Sequence, residues 1–166
     1  MKPTESVKAV VDQRAIKAIA IYRAQVHKGQ ESSRPLSKEY ELIGLSGEVA
    51  FAKETGYPLD LRTKPAGDDG VDFYTSLGTV DVKTSRKPYF LLVEKGKVKA
   101  DIYVLAQYDD ETKSARLLGW EYGSEMKQQP IRDFGFGIIN HFKEVRSLRN
   151  IWELTNLLKM TREARR

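Results

Sequence analysis

Residues 71–85 constrain the fold most. Two runs, Val71 to Ser76 and Thr79 to Ser85, alternate apolar and polar side chains around a break at Leu77-Gly78. Alternation of period two on both sides of a short glycine-containing break predicts a β-hairpin. With Leu77 and Gly78 as the loop, Ser76 pairs with Thr79, Tyr74 with Asp81, and Asp72 with Lys83. Directly opposed residues share a face. Asp72, Tyr74, Asp81 and Lys83 then lie on one side. Val71, Phe73, Val80 and Val82 lie on the other, where they can pack on a core.

Two carboxylates and an amine gathered on one face suggest chemistry. Neighbouring acids repel unless a cation or a proton comes between them. A hard divalent ion such as magnesium is held by one or two carboxylates together with waters and substrate phosphate. A lysine beside that ion can orient or deprotonate a water, which is the equipment for metal-assisted phosphodiester hydrolysis. The plainer reading is a solvated face carrying a cross-strand Asp–Lys ion pair. The hairpin alone leaves both open, because a slip of one residue in register moves the pattern.

Asp72, followed nine residues later by Asp81-Val82-Lys83, resembles the signature of the PD-(D/E)XK nuclease superfamily. Asp69-Gly70-Val71-Asp72 is similar to the Asp-x-Gly-x-Asp form of its restriction-type and recombination-type members. The family places a glutamate on a helix before the first core strand, and Gly47-Glu48-Val49-Ala50 stands at that place. The ordered set Glu48, Asp72, Asp81, Lys83 is more specific than any one piece. The resemblance covers Lys38 to Gly123. Two departures stand out: Val71 replaces the proline of the family name, and strand formers follow Lys83 where many members place a helix.

The resemblance implies an α/β fold, a restriction-endonuclease-like mixed sheet of four to five strands with helices on both faces. It implies a Mg2+ cofactor, with Mn2+ able to substitute. Asp72, Asp81 and the Val82 backbone carbonyl would hold the ion, and Glu48 would bind it through water or hold a second one. Lys83 would orient the attacking water and stabilise charge at the phosphate. The activity implied is DNA hydrolysis leaving 5′-phosphates, by an endonuclease of recombination, repair or restriction. A non-catalytic DNA-binding or assembly protein on the same fold, and a ribonuclease, are the alternatives.

Composition agrees with such a protein. The 166 residues are expected to form one domain, with an N-terminal helix in 1–30, the nuclease-like core in 37–123 and a C-terminal helical region in 124–166. Apolar content of 40% and charged content of 31% fit a globular chain. No run of about 18 apolar residues suggests a membrane span. Lys2, Glu5 and Lys8 interrupt the start, so no signal peptide is expected and an intracellular location is. The lack of cysteine excludes disulfides, thiolate metal sites and cysteine nucleophiles. A net charge of +5 favours polyanions.

The rest of the chain supplies the frame. Ser6 to His27 has helical periodicity, as a helix packed on the sheet or as the interface of a homodimer suited to symmetric cutting. Ser37 can cap a second helix running to Thr55, and Leu59 to Arg62 is a short strand. Lys64, between Thr63 and the glycines Gly67 and Gly70, can meet a phosphate. Thr84, Ser85, Arg86 and Lys87 are residue types that position a nucleic-acid backbone. Tyr89 to Val93 is extended, and Asp101 to Tyr108 is an apolar run suited to a central strand. Ala115 to Tyr122 returns as a further strand. Ser124 to Gln129 makes a helical turn, Phe134-Gly135-Phe136-Gly137 a loop that buttresses the core or stacks a base, and Leu148 to Met160 a last helix. Asn140-His141 reads either as a phosphate donor that reaches the site or as a structural hydrogen-bonding pair. Two histidines, no Gly-x-Ser-x-Gly elbow and no Walker A pattern argue against triad hydrolysis, histidine-zinc sites and nucleotide binding.

Overall fold

The computed structural model describes residues 38–59 and 71–164. The expected helix Ser6–His27, the Ser37 cap, most of the strand from Leu59 and the loop with Lys64 lie outside the described residues. In chain order the elements are α1 (Lys38–Thr55), β1 (Phe73–Thr75), β2 (Gly78–Ser85), β3 (Phe90–Glu94), β4 (Ile102–Asp109), β5 (Ser114–Tyr122), α2 (Gly123–Met126), β6 (Ile131–Asp133), β7 (Ile139–Glu144), a 3-10 turn (Val145–Ser147), β8 (Arg149–Asn150) and α3 (Ile151–Ala164).

The architecture is α/β. A mixed five-stranded sheet runs β1-β2-β4-β5-β8, and a three-stranded antiparallel sheet runs β3-β7-β6. β2 and β4 are the parallel pair, Val80 beside Ile102 through Ser85 beside Gln107. A parallel pair requires a crossover, commonly a helix. Here the crossover contains β3, which leaves the main sheet to found the second one. The strand formers after Lys83 carry that signal.

The two faces of the main sheet bury different cores. On one, Phe73, Val80, Val82, Ile102, Val104, Ala106 and Trp120 pack with Phe51 of α1 and with Leu154 and Leu158 of α3. On the other, Tyr103 and Leu105 meet Leu91 and Val93 of β3 and Met126 of α2. β4 is therefore buried on both sides, which is why its apolar run is nearly continuous. Each such large side chain contributes about 1.5–3 kcal/mol of transfer free energy. Both long helices share one face. The other is covered mainly by the second sheet, with α2 and the 3-10 turn at Val145 beside it, rather than by a matching helical layer. Residues 124–166, expected to be helical, hold β6, β7 and β8 as well as α3. These strands are short and largely polar, so they carry little period-two signal.

The hairpin exists with a shifted turn. Phe73 pairs with Val80, Tyr74 with Thr79 and Thr75 with Gly78, so the loop is Ser76-Leu77 and not Leu77-Gly78. The Ser76 amide donates to the Tyr57 hydroxyl at 3.0 Å, and the Ser76 and Thr161 hydroxyls lie 2.6 Å apart, tying the turn to the helical side. Gly78 sits in the strand because Asp101 lies against it. The Asp101 carboxylate accepts the Thr79 amide at 2.9 Å, and a Cβ on Gly78, whose φ is +122°, would come within 2.7 Å of it. Moving the turn by one residue shifts both strand ends and preserves parity. Asp81 and Lys83 still share a face, opposite Val80 and Val82.

Candidate functional site

β1 is only three residues long, so it leaves part of the β2 edge unpaired. Asp72 completes that edge. Its amide donates to the Val80 carbonyl at 2.9 Å, and its Oδ2 accepts the Val82 amide at 2.8 Å. The N–H and C=O of one strand residue point to the same neighbour. The Val82 carbonyl therefore points toward the edge that Asp72 occupies, away from β4.

Asp81 and Lys83 flank Val82 on the face opposite the helices. Lys83 Nζ lies 2.8 Å from Asp81 Oδ2, with the aspartate side chain 8% exposed and the lysine 43%. Burial pushes the Lys83 amine down, but the Asp81 ion pair and hydrogen bond, with Asp72 and Tyr103 adding smaller attractions, carry it above the usual lysine range. Lys83 is thus an ammonium at neutral pH. As an ammonium it can donate to water or phosphate.

Two residues that the sequence did not single out back this site. Tyr103 of β4 stands beside Asp81 in register, and Glu121 of β5 stands beside Tyr103. Burial raises the Tyr103 phenol above its ordinary value, and its oxygen accepts the Lys99 and Ala100 amides at 2.9 and 3.2 Å. Glu121 is held by Lys143 at 2.5 Å and Arg149 at 2.7 Å. The clue was in the sequence: an acid inside Leu117-Leu118-Gly119-Trp120-Glu121-Tyr122 needs paired cations to be buried.

Glu48 is carried by α1, which packs on β2. Its neighbour Gly47 packs on the helix-facing side of β2, where an added Cβ would lie 1.8 Å from Thr84 Oγ1 and 3.2 Å from a Val82 methyl. Glu48 itself is half-buried. Among the described residues no three His, Cys, Asp or Glu side chains form a group able to hold a metal ion, so no third carboxylate joins Asp72 and Asp81 in such a set. What remains is two carboxylates and the Val82 carbonyl at one edge. These are hard oxygen donors, and Mg2+ is satisfied by one or two carboxylates when water and substrate phosphate fill its other positions. The donor set fits that ion.

The expected backbone-contacting residues divide. Ser85 Oγ accepts the Lys87 amide at 3.1 Å, and Lys87 is exposed. Thr84 faces α1, on the opposite side from Lys83. Arg86 is engaged by Asp110 at 2.9 and 3.0 Å and by Glu39, and these hydrogen bonds raise its pKa further while lowering that of Asp110. It ties the start of α1 to the β4–β5 turn. Asn140 is buried with its Oδ1 unpartnered among the described residues, and His141 Nδ1 lies 2.9 Å from the Gln129 carbonyl.

Comparison with protein-family models, with curated proteins and with solved structures finds no match for this chain. No helix among the described residues is long and apolar enough to cross a membrane.

Proposed function

We propose that the chain is a Mg2+-dependent nuclease that hydrolyses DNA on a restriction-endonuclease-like core. One observation carries the reading: Asp72 closes the β2 edge at Val82 while Asp81 and Lys83 flank the same residue. Asp72, Asp81 and the Val82 carbonyl would hold the metal, which when bound supplies Lewis-acid polarisation of the phosphoryl oxygen and a more acidic water.

The side chains do the rest. Asp81 fixes Lys83 Nζ at 2.8 Å and keeps it charged. Lys83 donates to the attacking water or to a non-bridging phosphate oxygen, opposing the charge that builds as the bond breaks. Tyr103 and the second sheet keep bulk water from one side of the pair. Ser85 at the end of β2 and Lys87 just beyond it suit phosphates flanking the scissile one.

The test is cleavage of supercoiled, linear, single-stranded and branched DNA with magnesium, manganese or chelator. Cleavage is expected with either ion and none with chelator. Lys83→Ala should lower the rate by about 10²–10³, the size seen when one charge-stabilising donor is removed, and Asp81→Asn, which weakens the metal site and releases Lys83, should lower it at least as much. Full activity in either variant removes the proposal. A non-catalytic DNA-binding protein is the second reading, favoured by the missing third carboxylate among the described residues; metal-independent binding without cleavage would establish it. RNA in the same assay separates a ribonuclease.

A further inference from the structure

The loop between β6 and β7 splits its two aromatic residues. Phe134 turns inward: its ring centre lies 5.5 Å from that of Phe90 and 5.4 Å from that of Phe142, with the Arg132 guanidinium 4.6 Å above it. Phe136 turns outward and is 94% exposed. Its φ is +63°, between Gly135 at +128° and Gly137 at +72°. A bulky residue in the left-handed region is strained, and such strain persists where the surroundings impose it, often at a binding site. No packing gain in the folded chain accounts for it here, since the ring touches almost nothing.

The neighbourhood is cationic. The Lys95 amide donates to the Ile139 carbonyl at 2.9 Å, which brings the Glu94–Lys97 turn beside this loop. Lys95, Lys97 and Arg132 are all exposed. The nearby acids are partly used: Glu94 lies 3.4 Å from Lys97, and Asp133 Oδ1 accepts the Gly135 amide at 2.7 Å.

We propose that Phe136 is a stacking platform for an unpaired base of a nucleic-acid strand, with Lys95, Lys97 and Arg132 meeting the adjoining phosphates. The partner class rests on the nucleic-acid reading above; the site does not belong to the Asp81–Lys83 centre. Single-strand binders combine a basic track with aromatic rings whose faces are open, and stacking tolerates any base. One fully open ring among lysines, with only the part-exposed Ile131 and Ile139 on the same hairpin, fits a base better than a lipid surface, which requires a broad apolar face. It also fits better than a protein interface, which buries a contiguous patch.

The experiment is fluorescence anisotropy of labelled single-stranded and blunt duplex DNA with the full chain in chelator, where nothing is cut. Phe136→Ala should weaken single-strand binding about tenfold, within the range for loss of one base stack. Phe136→Leu should be as weak as Ala, and Phe136→Tyr should match the unsubstituted protein. Melting temperatures should not change, because the ring is outside the core. Unchanged binding by the alanine variant overturns the proposal. So does rescue by leucine, which would mean an apolar contact, or absence of single-strand binding by the unsubstituted chain. Because the assay involves no cleavage, an inactive nuclease centre leaves the result readable, and failure here leaves the cleavage test standing.

Discussion

Thr84 presses a hydroxyl into the seam between β2 and α1, where its Oγ1 is buried and has no hydrogen-bond partner among the described residues. An unsatisfied buried hydroxyl costs about 1–3 kcal/mol, and replacing it with an apolar group of the same shape removes that cost. Thr84→Val should therefore raise stability by about 1 kcal/mol, an increase of about 2–4 °C in Tm for a chain of this size. Thermal melting checks it, and a lower Tm would show that the hydroxyl has a partner after all. The same variant should bind DNA normally, because Thr84 does not face the site. Strict alternation carried that direction: Asp81, Lys83 and Ser85 share one parity, Val80, Val82 and Thr84 the other. The sequence reading grouped Thr84 with Ser85 by residue type and so lost what parity told it. Arg86 was illegible for a different reason. Its partners Glu39 and Asp110 are 47 and 24 residues away in the chain, and no local pattern reports such a pairing.

At the scale of elements, the approach of α1 to β2 depends on a residue without a side chain. Gly47 lets the helix lie so close that a methyl group would collide with Thr84 Oγ1 at 1.8 Å. Gly47→Ala should destabilise the chain by about 1–3 kcal/mol, the usual cost of overpacking, although alanine is the better helix former. Chemical denaturation measures this, and a neutral result would show that the seam yields. Adding Thr84→Ala should recover part of the loss, since it removes the hydroxyl with which the new methyl collides. α1, β4, β5 and α3 were legible because each repeats its pattern over many residues. The hairpin was legible in pairing and face, but its turn was not: Gly78 was read as a loop residue when its lack of Cβ accommodates Asp101, a residue 23 positions away. The second sheet was missed because β6 is three exposed residues and β7 interleaves Asn140 and His141 with its apolar positions. β5 was legible by its length and apolar content, although the register shift opposite Leu105 and Ala106 breaks its alternation. The shift turns Leu117 and Trp120, three apart, to the same face, where simple alternation would oppose them.

At the scale of the molecule, one carboxylate joins the two sheets. Glu121 on β5 receives Lys143 from β7 at 2.5 Å, Arg149 from β8 at 2.7 Å and the Tyr122 amide at 2.8 Å. Burial alone would raise its pKa, but the hydrogen bonds from Lys143, Arg149 and the Tyr122 amide, with the Lys143 charge, outweigh it and hold the carboxyl below the usual range. A group whose folded pKa is depressed stabilises the fold above its unfolded value, near 4.3 for glutamate, and that stabilisation fades as pH falls through the folded value. Glu121→Gln keeps the shape and removes the charge. At pH 7 it should cost about 3 kcal/mol, the low end for breaking a buried pair, because Arg149 is 44% exposed and can recover water. As the pH falls below the unfolded value the difference should narrow, since the unfolded carboxylate takes up a proton first and the folded one only at lower pH. Circular-dichroism melts of the two proteins from pH 7 to pH 3 decide it: the gap in Tm closes with acid if the clamp is electrostatic. A gap constant across that range would mean that Glu121 acts through shape and hydrogen bonding alone. The second sheet would then be held by Leu91, Val93 and Met126 against Tyr103, without help from charge.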